Sequence, residues 1–356
     1  MPPSAFSTDD KSCSSFSPPS SSTSSRSSSF TSSSSSGRLR GPTTTMASPS
    51  PVKATTETTA SPAAPYDAAV CDCPLRRHNV RVIGTGKTTL LLSHGFGTNQ
   101  KIWDGVLSHL DLQHSFRVVL WDLMGAFSTP AESYDFQRYG SLCSHADDLL
   151  EVLEELREQG RLGDGGGAED DDDDDVVCVG HSVSGMVSLL ASLERPSAFR
   201  RLLLLGSSPR YLNDPPTGYI GGFNPPDLDH IFLAVRENYI AWVSGFAPLM
   251  VGRDISSREV REFSETMLQV RPDIALSTLR TAFQSDFRHL LGRVSCPVTV
   301  LSTGADAAVP VQVSEYLREA IPGACMEVLP TQGHLPHLTH PAVVAHAIQR
   351  HASVPQ

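Results

Sequence analysis

The sequence predicts an α/β chain, a mostly parallel sheet flanked by helices with a helical lid inserted into it. Three observations carry this. Short apolar runs bounded by turn residues alternate with helical stripes, the pattern of a parallel sheet covered on both faces. From Asn213 to Phe287 the alternation stops and only helical spacing remains. Finally, the run Val176 to Val179 leads straight into Gly180-His181-Ser182-Val183-Ser184 and then a helix over Gly185 to Leu193. A strand, a sharp turn with serine at its apex and a helix together form the setting of a nucleophile elbow.

Residues 1–77 precede this alternation. The first 65 hold 22 serines and almost no periodic apolar pattern, so they cannot offset the entropy of ordering and read as a disordered extension. Between residues 11 and 50 the charges are Lys11, Arg26, Arg38 and Arg40, with no acid, which suits an organelle transit peptide. The other readings are a plain disordered tail, or an over-extended start with Met46 as alternative initiator. No run of 18 apolar residues occurs, so no membrane span is expected.

The folded domain is expected over 78–351, with a short tail at 352–356. Asn79 to Ile83 and Thr89 to Ser93 read as two strands joined by the glycine turn Gly84-Thr85-Gly86. His94-Gly95-Phe96-Gly97 follows the second, where either a plain glycine turn or half of an oxyanion hole belongs. Phe116 to Asp122 is the next strand. Ser144 to Arg157 carries the stripe Ala146, Leu149, Leu150, Leu153 and Leu156, a helix.

A Gly/Asp-rich insertion at 163–175 comes before the elbow. Glu169 and Asp170 to Asp175 supply seven negatives, and removing them from the net charge of −11 leaves −4, an ordinary soluble surface. The run lacks the spaced ligands of a calcium loop and reads as a solvated, flexible segment. No basic cluster suggests nucleic acid.

Arg201 to Gly206 is a further strand. In the lid segment, 213–287, Leu228, Ile231, Phe232, Val235, Tyr239 and Trp242 keep helical spacing, as do Val260, Phe263, Met267 and Leu268. Pro272 ends that second helix, and Asp273 caps another running toward Phe283. About half of the lid aromatics Tyr219, Phe223, Phe232, Tyr239, Trp242, Phe246, Phe263 and Phe283 are expected to face a cavity, the rest being packing core. The sheet resumes at Pro297 to Leu301 and Met326 to Leu329, and a last helix runs from Pro341 to Arg350. The seven cysteines (Cys13, Cys71, Cys73, Cys143, Cys178, Cys296 and Cys325) are few and odd in number, as for free thiols in a reducing compartment.

Ser182, Asp306 and His334 each lie just past the C-terminal end of an expected strand. Their order, Ser then Asp then His, is that of the α/β-hydrolase fold. His334 would take the proton of Ser182, and Asp306 would hold the imidazole in its tautomer. The N–H groups of Phe96 and Val183 would form the oxyanion hole. A plain helix N-cap is the other reading of Ser182, and His181, His337, His340 and Asp286 are competitors for the remaining roles. The chemistry is acyl transfer, most simply ester or lactone hydrolysis, with no cofactor and no metal implied.

On these residues the chain resembles the plant strigolactone and karrikin receptor hydrolases and their bacterial stress-response relatives. The resemblance rests on His94-Gly95-Phe96-Gly97-Thr98-Asn99-Gln100, Gly180 to Ser184, Ser208-Pro209-Arg210-Tyr211-Leu212-Asn213-Asp214 and Gly245-Phe246-Ala247-Pro248-Leu249. It continues through Arg271-Pro272-Asp273-Ile274-Ala275-Leu276, Asp306-Ala307-Ala308-Val309-Pro310 and Gly333-His334-Leu335-Pro336. It implies an α/β-hydrolase fold whose four-helix lid is inserted after the sixth strand, over a small apolar pocket sized for a butenolide. Phe96, Tyr211, Phe223, Trp242, Phe246, Phe263 and Phe283 would line that pocket. It also implies slow hydrolysis of a butenolide ligand in signalling, recruitment of an F-box protein and a repressor, and a cytoplasmic and nuclear location, against a chloroplast one if the N-terminus is a transit peptide. A general small-ester or lactone hydrolase without a receptor role is the alternative. Departures from the family pattern are the two N-terminal and acidic segments, a longer Pro215 to Gly218 turn, Phe127 in place of a small residue and Trp121 in place of tyrosine.

Overall fold

The computed structural model describes residues 73–162 and 176–353. The expectations for the Ser-rich extension, Cys13 and Cys71, the 163–175 insertion and the last three residues lie outside the described residues. Among the described residues seven strands form one sheet in the order β1-β3-β2-β4-β5-β6-β7. They are β1 (Arg81–Ile83), β2 (Thr88–Ser93), β3 (Phe116–Trp121), β4 (Val176–His181), β5 (Arg201–Leu205), β6 (Val298–Thr303) and β7 (Cys325–Leu329). Only β1 runs antiparallel, on β3; the others are parallel. In β4 every residue is buried. Successive side chains point to opposite faces, so helices must cover both.

The two first strands are joined through Gly84 to Gly86 as expected, yet they do not pair with each other, because β3 lies between them. The connecting turn crosses the start of β3. A Cβ on Gly86 would sit 2.0 Å from the Phe116 nitrogen, and one on Gly84, at φ +81°, 2.6 Å from the Phe116 oxygen. Only glycine fits there.

Folded structure begins earlier than His78. Pro74–Arg77 forms a short helix, α1, with Leu75 in the core, and Arg77 pairs with Glu151. A one-turn helix α2 (Asp104–Leu107) follows β2, and α3 (Cys143–Glu158) packs on α4 (Val183–Glu194). The last helix, α11 (Pro341–Ala352), runs past Arg350; Ala352 is buried and its carbonyl accepts from Arg200. Helix α9 (Val311–Ala320) packs on β6, while α10 (Pro336–Thr339) and α11 lie against α2.

The lid leaves the sheet after the fifth strand in chain order, not the sixth, because the described chain ahead of Phe116 supplies only two strands. It comprises α5 (Pro225–Glu237), α6 (Tyr239–Val251), α7 (Arg258–Leu268) and α8 (Pro272–Phe283). The spacing from Leu228 to Trp242 spans two helices, not one, since Asn238 breaks the run and caps α6 by accepting from the Ala241 N–H at 3.0 Å. Pro272 starts α8 instead of ending α7, which stops at Leu268; Asp273 lies inside the first turn. Proline is suited to that first position because its missing N–H would have no partner there.

The lid's two ends are tied to each other. Asp286, at the exit, accepts from Arg210, at the entrance, and from Arg288, while Arg288 also reaches Asp214 at 2.9 Å. The long entrance turn, Pro215–Thr217 followed by left-handed Gly218, sits beside this network. Among the described residues no helix is long and apolar enough to cross a membrane, and Cys73, Cys178, Cys296 and Cys325 are free thiols.

Candidate active site

The elbow is strained where chemistry needs it. Ser182 has φ 56° and ψ −121°, a region L-residues visit at a cost of roughly 1–3 kcal/mol and mostly at functional sites. The turn can form only because its flanks are small. A Cβ on Gly180 would meet the Ser184 oxygen at 2.5 Å, and one on Gly185 would meet Ser207 Oγ at 1.9 Å. Ser184 does more than stay small: its hydroxyl donates to the His94 carbonyl and ties the elbow to the loop after β2. Ser182 occupies the N-cap position of α4 but makes no capping bond. Its Oγ lies 2.9 Å from His334 Nε2 instead.

His334 Nδ1 is 2.7 Å from Asp306 Oδ2. A carboxylate can only accept, so Nδ1 carries the proton and Nε2 is left to take one from serine. The second oxygen of Asp306 accepts from the Ala308 and Val309 N–H groups at 2.8 and 2.9 Å, which locks the carboxylate toward the ring. The parallel sheet brings the three residues together, since β4, β6 and β7 all end on the same edge.

The competitors are occupied elsewhere. His181 Nε2 faces the His334 carbonyl at 2.8 Å. His337 is fully buried against Trp103, His340 bonds Thr339 and Arg253, and Asp286 belongs to the lid-base network.

Phe96 and Val183 border the same cavity as Ser182, and neither backbone N–H has a hydrogen-bond partner among the described residues. The Phe96 loop is held by Thr98 Oγ1 on the Gly95 carbonyl at 2.9 Å and by the Leu123 N–H on His94 Nε2 at 3.0 Å. His94 therefore stays neutral, and burial lowers its pKa accordingly.

The cavity above Ser182 is small, about 30 Å³. Of the seven expected lining residues, Phe96, Tyr211, Phe246, Phe263 and Phe283 reach it, joined by Met250, Ala308 and Leu335. Phe223 and Trp242 do not line it. Phe223 packs edge-on against Phe283 at 5.2 Å, and Trp242 stacks on Phe246 at 4.5 Å, so both brace the ring that does. Three of the eight lid aromatics face the cavity, fewer than half, because Tyr219, Phe232 and Tyr239 pack on Arg288, Arg280 and the Met267 carbonyl. Tyr211 stacks on Phe283 and places its hydroxyl 3.5 Å from Ser182 Oγ; burial raises its pKa, so it stays a neutral phenol.

One residue outside the expected set matters to the geometry. Met250 lines the cavity and its carbonyl accepts the His334 N–H at 2.7 Å. Trp121 and Phe127, the unusual residues of the β3 end, do not reach the cavity; Trp121 is fully buried, its Nε1 donating to Ser93 Oγ at 2.6 Å. No cluster of His, Cys, Asp and Glu among the described residues could hold a metal ion.

A sequence model of the alpha/beta hydrolase family matches residues 90–347. The chain is 44% identical over 275 residues to Karrikin insensitive 2 receptor CA of Petunia hybrida, covering 77% of this chain and 95% of that one. It is 43% identical over 272 residues to Strigolactone esterase RMS3 of Pisum sativum, covering 76% and 95%. Among solved structures, a hydrolase of Oleispira antarctica superposes with a TM-score of 0.69 at 30% identity, covering 79% of this chain and 97% of that one.

Proposed function

Because the chain belongs to the α/β hydrolase family, alongside karrikin and strigolactone receptors, we propose that it is a serine hydrolase acting on a small butenolide. The observation that carries this reading is the Ser182–His334–Asp306 relay lying beneath a narrow aromatic cavity. Ser182 Oγ attacks the ring carbonyl as His334 Nε2 takes its proton. Asp306 stabilises the imidazolium so formed. The Phe96 and Val183 N–H groups, unbonded beforehand, donate to the developing oxyanion without reorganising. His334 then returns the proton to the leaving oxygen, and water releases the acyl group.

The narrowness supports slow turnover and a receptor role. A butenolide held above Ser182 would press on Phe246, Phe263 and Met250, and Phe246 and Met250 belong to α6. Ligand binding therefore displaces the lid, whose outer surface carries exposed Ile240 and Leu249. In this reading that surface is where an F-box protein and a repressor dock.

Incubation with a butenolide ester, followed by mass spectrometry, tests the reaction: ring-opened product is expected from the wild type and none from Ser182→Ala, which should keep the ligand-induced rise in Tm. Unmodified protein with no product from the wild type would overturn the reading. Fast multiple turnover of simple acyl esters without preference for butenolides would make the protein a general esterase.

A further inference from the structure

The mechanism leaves His181 without a task, although it lies against both the catalytic histidine and the oxyanion loop. It is 2% exposed, one residue before the nucleophile. Its ring lies 4.9 Å from that of His334 and 4.2 Å from that of His337, which in turn packs on Trp103 at 4.6 Å. On its other edge the oxyanion loop closes in, since a Cβ on Gly95 would lie 2.5 Å from His181 Nδ1. That nitrogen has no hydrogen-bond partner among the described residues. The one hydrogen bond the ring makes among the described residues is with the backbone of the catalytic histidine, Nε2 to the His334 oxygen at 2.8 Å. A carbonyl only accepts, so Nε2 carries the proton and the ring is the neutral Nε2–H tautomer.

We infer that His181 is a positioning residue, whose Nε2–H holds the His334 carbonyl and thereby sets where the catalytic imidazole meets Ser182. The inference rests on the triad reading above. The backbone of His334 is held at two points, its N–H by the Met250 carbonyl of the lid at 2.7 Å and its C=O by His181 of the elbow. With both held, the peptide planes on either side of its Cα cannot turn, and the Cα–Cβ direction is fixed. Releasing the carbonyl frees one plane. Misplacement of a reacting group by about 1 Å costs on the order of a hundredfold in rate. The ring does this work as a neutral dipole: burial first, then His337 and His334, keep its pKa well below the ordinary value. A second positive charge beside His334 would oppose the imidazolium that must form there.

Steady-state hydrolysis of p-nitrophenyl acetate separates positioning from packing. His181→Leu keeps bulk and loses the donor; His181→Gln keeps an N–H at the reach of Nε2. The Leu variant should lose roughly ten- to a hundredfold in kcat with KM nearly unchanged, and Gln should recover most of that loss. If Leu does not fold, His181→Met, equally unable to donate, takes its place in the comparison. A donor-less variant with wild-type kcat, or a Gln variant as slow as Leu or Met, would overturn the inference. Ser182→Ala run in parallel keeps the two readings apart. Activity surviving in Ser182→Ala would remove the triad itself, whereas an inactive Ser182→Ala beside unaffected His181 variants would remove only the role of His181.

Discussion

At Asp306, one oxygen serves the loop and the other serves the imidazole. Its Oδ1 takes two backbone N–H bonds and its Oδ2 the His334 ring. An asparagine there can satisfy the two N–H groups only by turning its own NH2 toward His334, and the ring must then present a bare Nδ1 and carry its proton on Nε2. Asp306→Asn should therefore keep the fold and lower kcat by about 10³–10⁴, with KM nearly unchanged in p-nitrophenyl acetate hydrolysis. A loss under tenfold would show that the carboxylate does not set the tautomer. Asp306 was legible in the sequence for the same reason as Ser182 and His334: each follows an apolar run that can only be a strand end. Met250 and Leu335 were not legible, because which way a side chain turns into a cavity depends on helix rotation and loop path. Ser184 is a middle case. Its small size is plain from the motif, but its bond to the His94 carbonyl depends on two loops meeting in space.

Among the elements, the contact that matters most is between the end of α6 and the loop carrying His334. Gly252 closes α6 at φ +67°, and Gly333 opposes it at φ +84°. A Cβ on Gly333 would lie 2.3 Å from the Val251 oxygen, so the backbones are in contact and the Met250 carbonyl can reach the His334 N–H. Gly333→Ala must push the lid and the loop apart. The positive φ alone costs about 1–3 kcal/mol, which in a domain of this size lowers Tm by roughly 3–10 °C. The kcat of the folded fraction should fall at least about tenfold as well, since the bond to Met250 is lost. A Tm drop without any change in kcat would mean that the lid does not steady the histidine. The lid itself was legible, since sheet alternation gives way to 3.6-residue spacing between Asn213 and Phe287. Its internal breaks were less so. Asn238 interrupts a stripe whose hydrophobic period carries on across it, because α5 and α6 both turn apolar faces toward the same core.

For the whole molecule, buried histidines make acid the adverse condition. His78, His94, His145, His181 and His337 are all buried and all have lowered pKa values, chiefly through desolvation. Burial brings His145 to about 4 and His337 to about 3. The unfolded chain binds protons at these residues near pH 6.5 and the folded chain does not, so below 6.5 the unfolded state holds more protons and stability falls with pH. The loss begins near pH 6.5 and continues for each residue until its folded pKa is reached. His145 alone removes on the order of 3 kcal/mol by pH 4, a large share of the roughly 5–15 kcal/mol that holds a domain together. The carboxylates with lowered pKa values, Asp214 and Asp273 among them, are charged in both states above the ordinary carboxylate range and add their loss only below it. Between pH 6.5 and about 4.5 the histidines therefore dominate. Thermal unfolding should show Tm falling steadily across that window. His337→Phe keeps an aromatic ring between Trp103 and His181 and has nothing to protonate, so its Tm should fall less steeply between pH 7 and pH 5 than the wild type's. Parallel slopes for the two proteins would show that His337 is not among the groups whose protonation unfolds the chain.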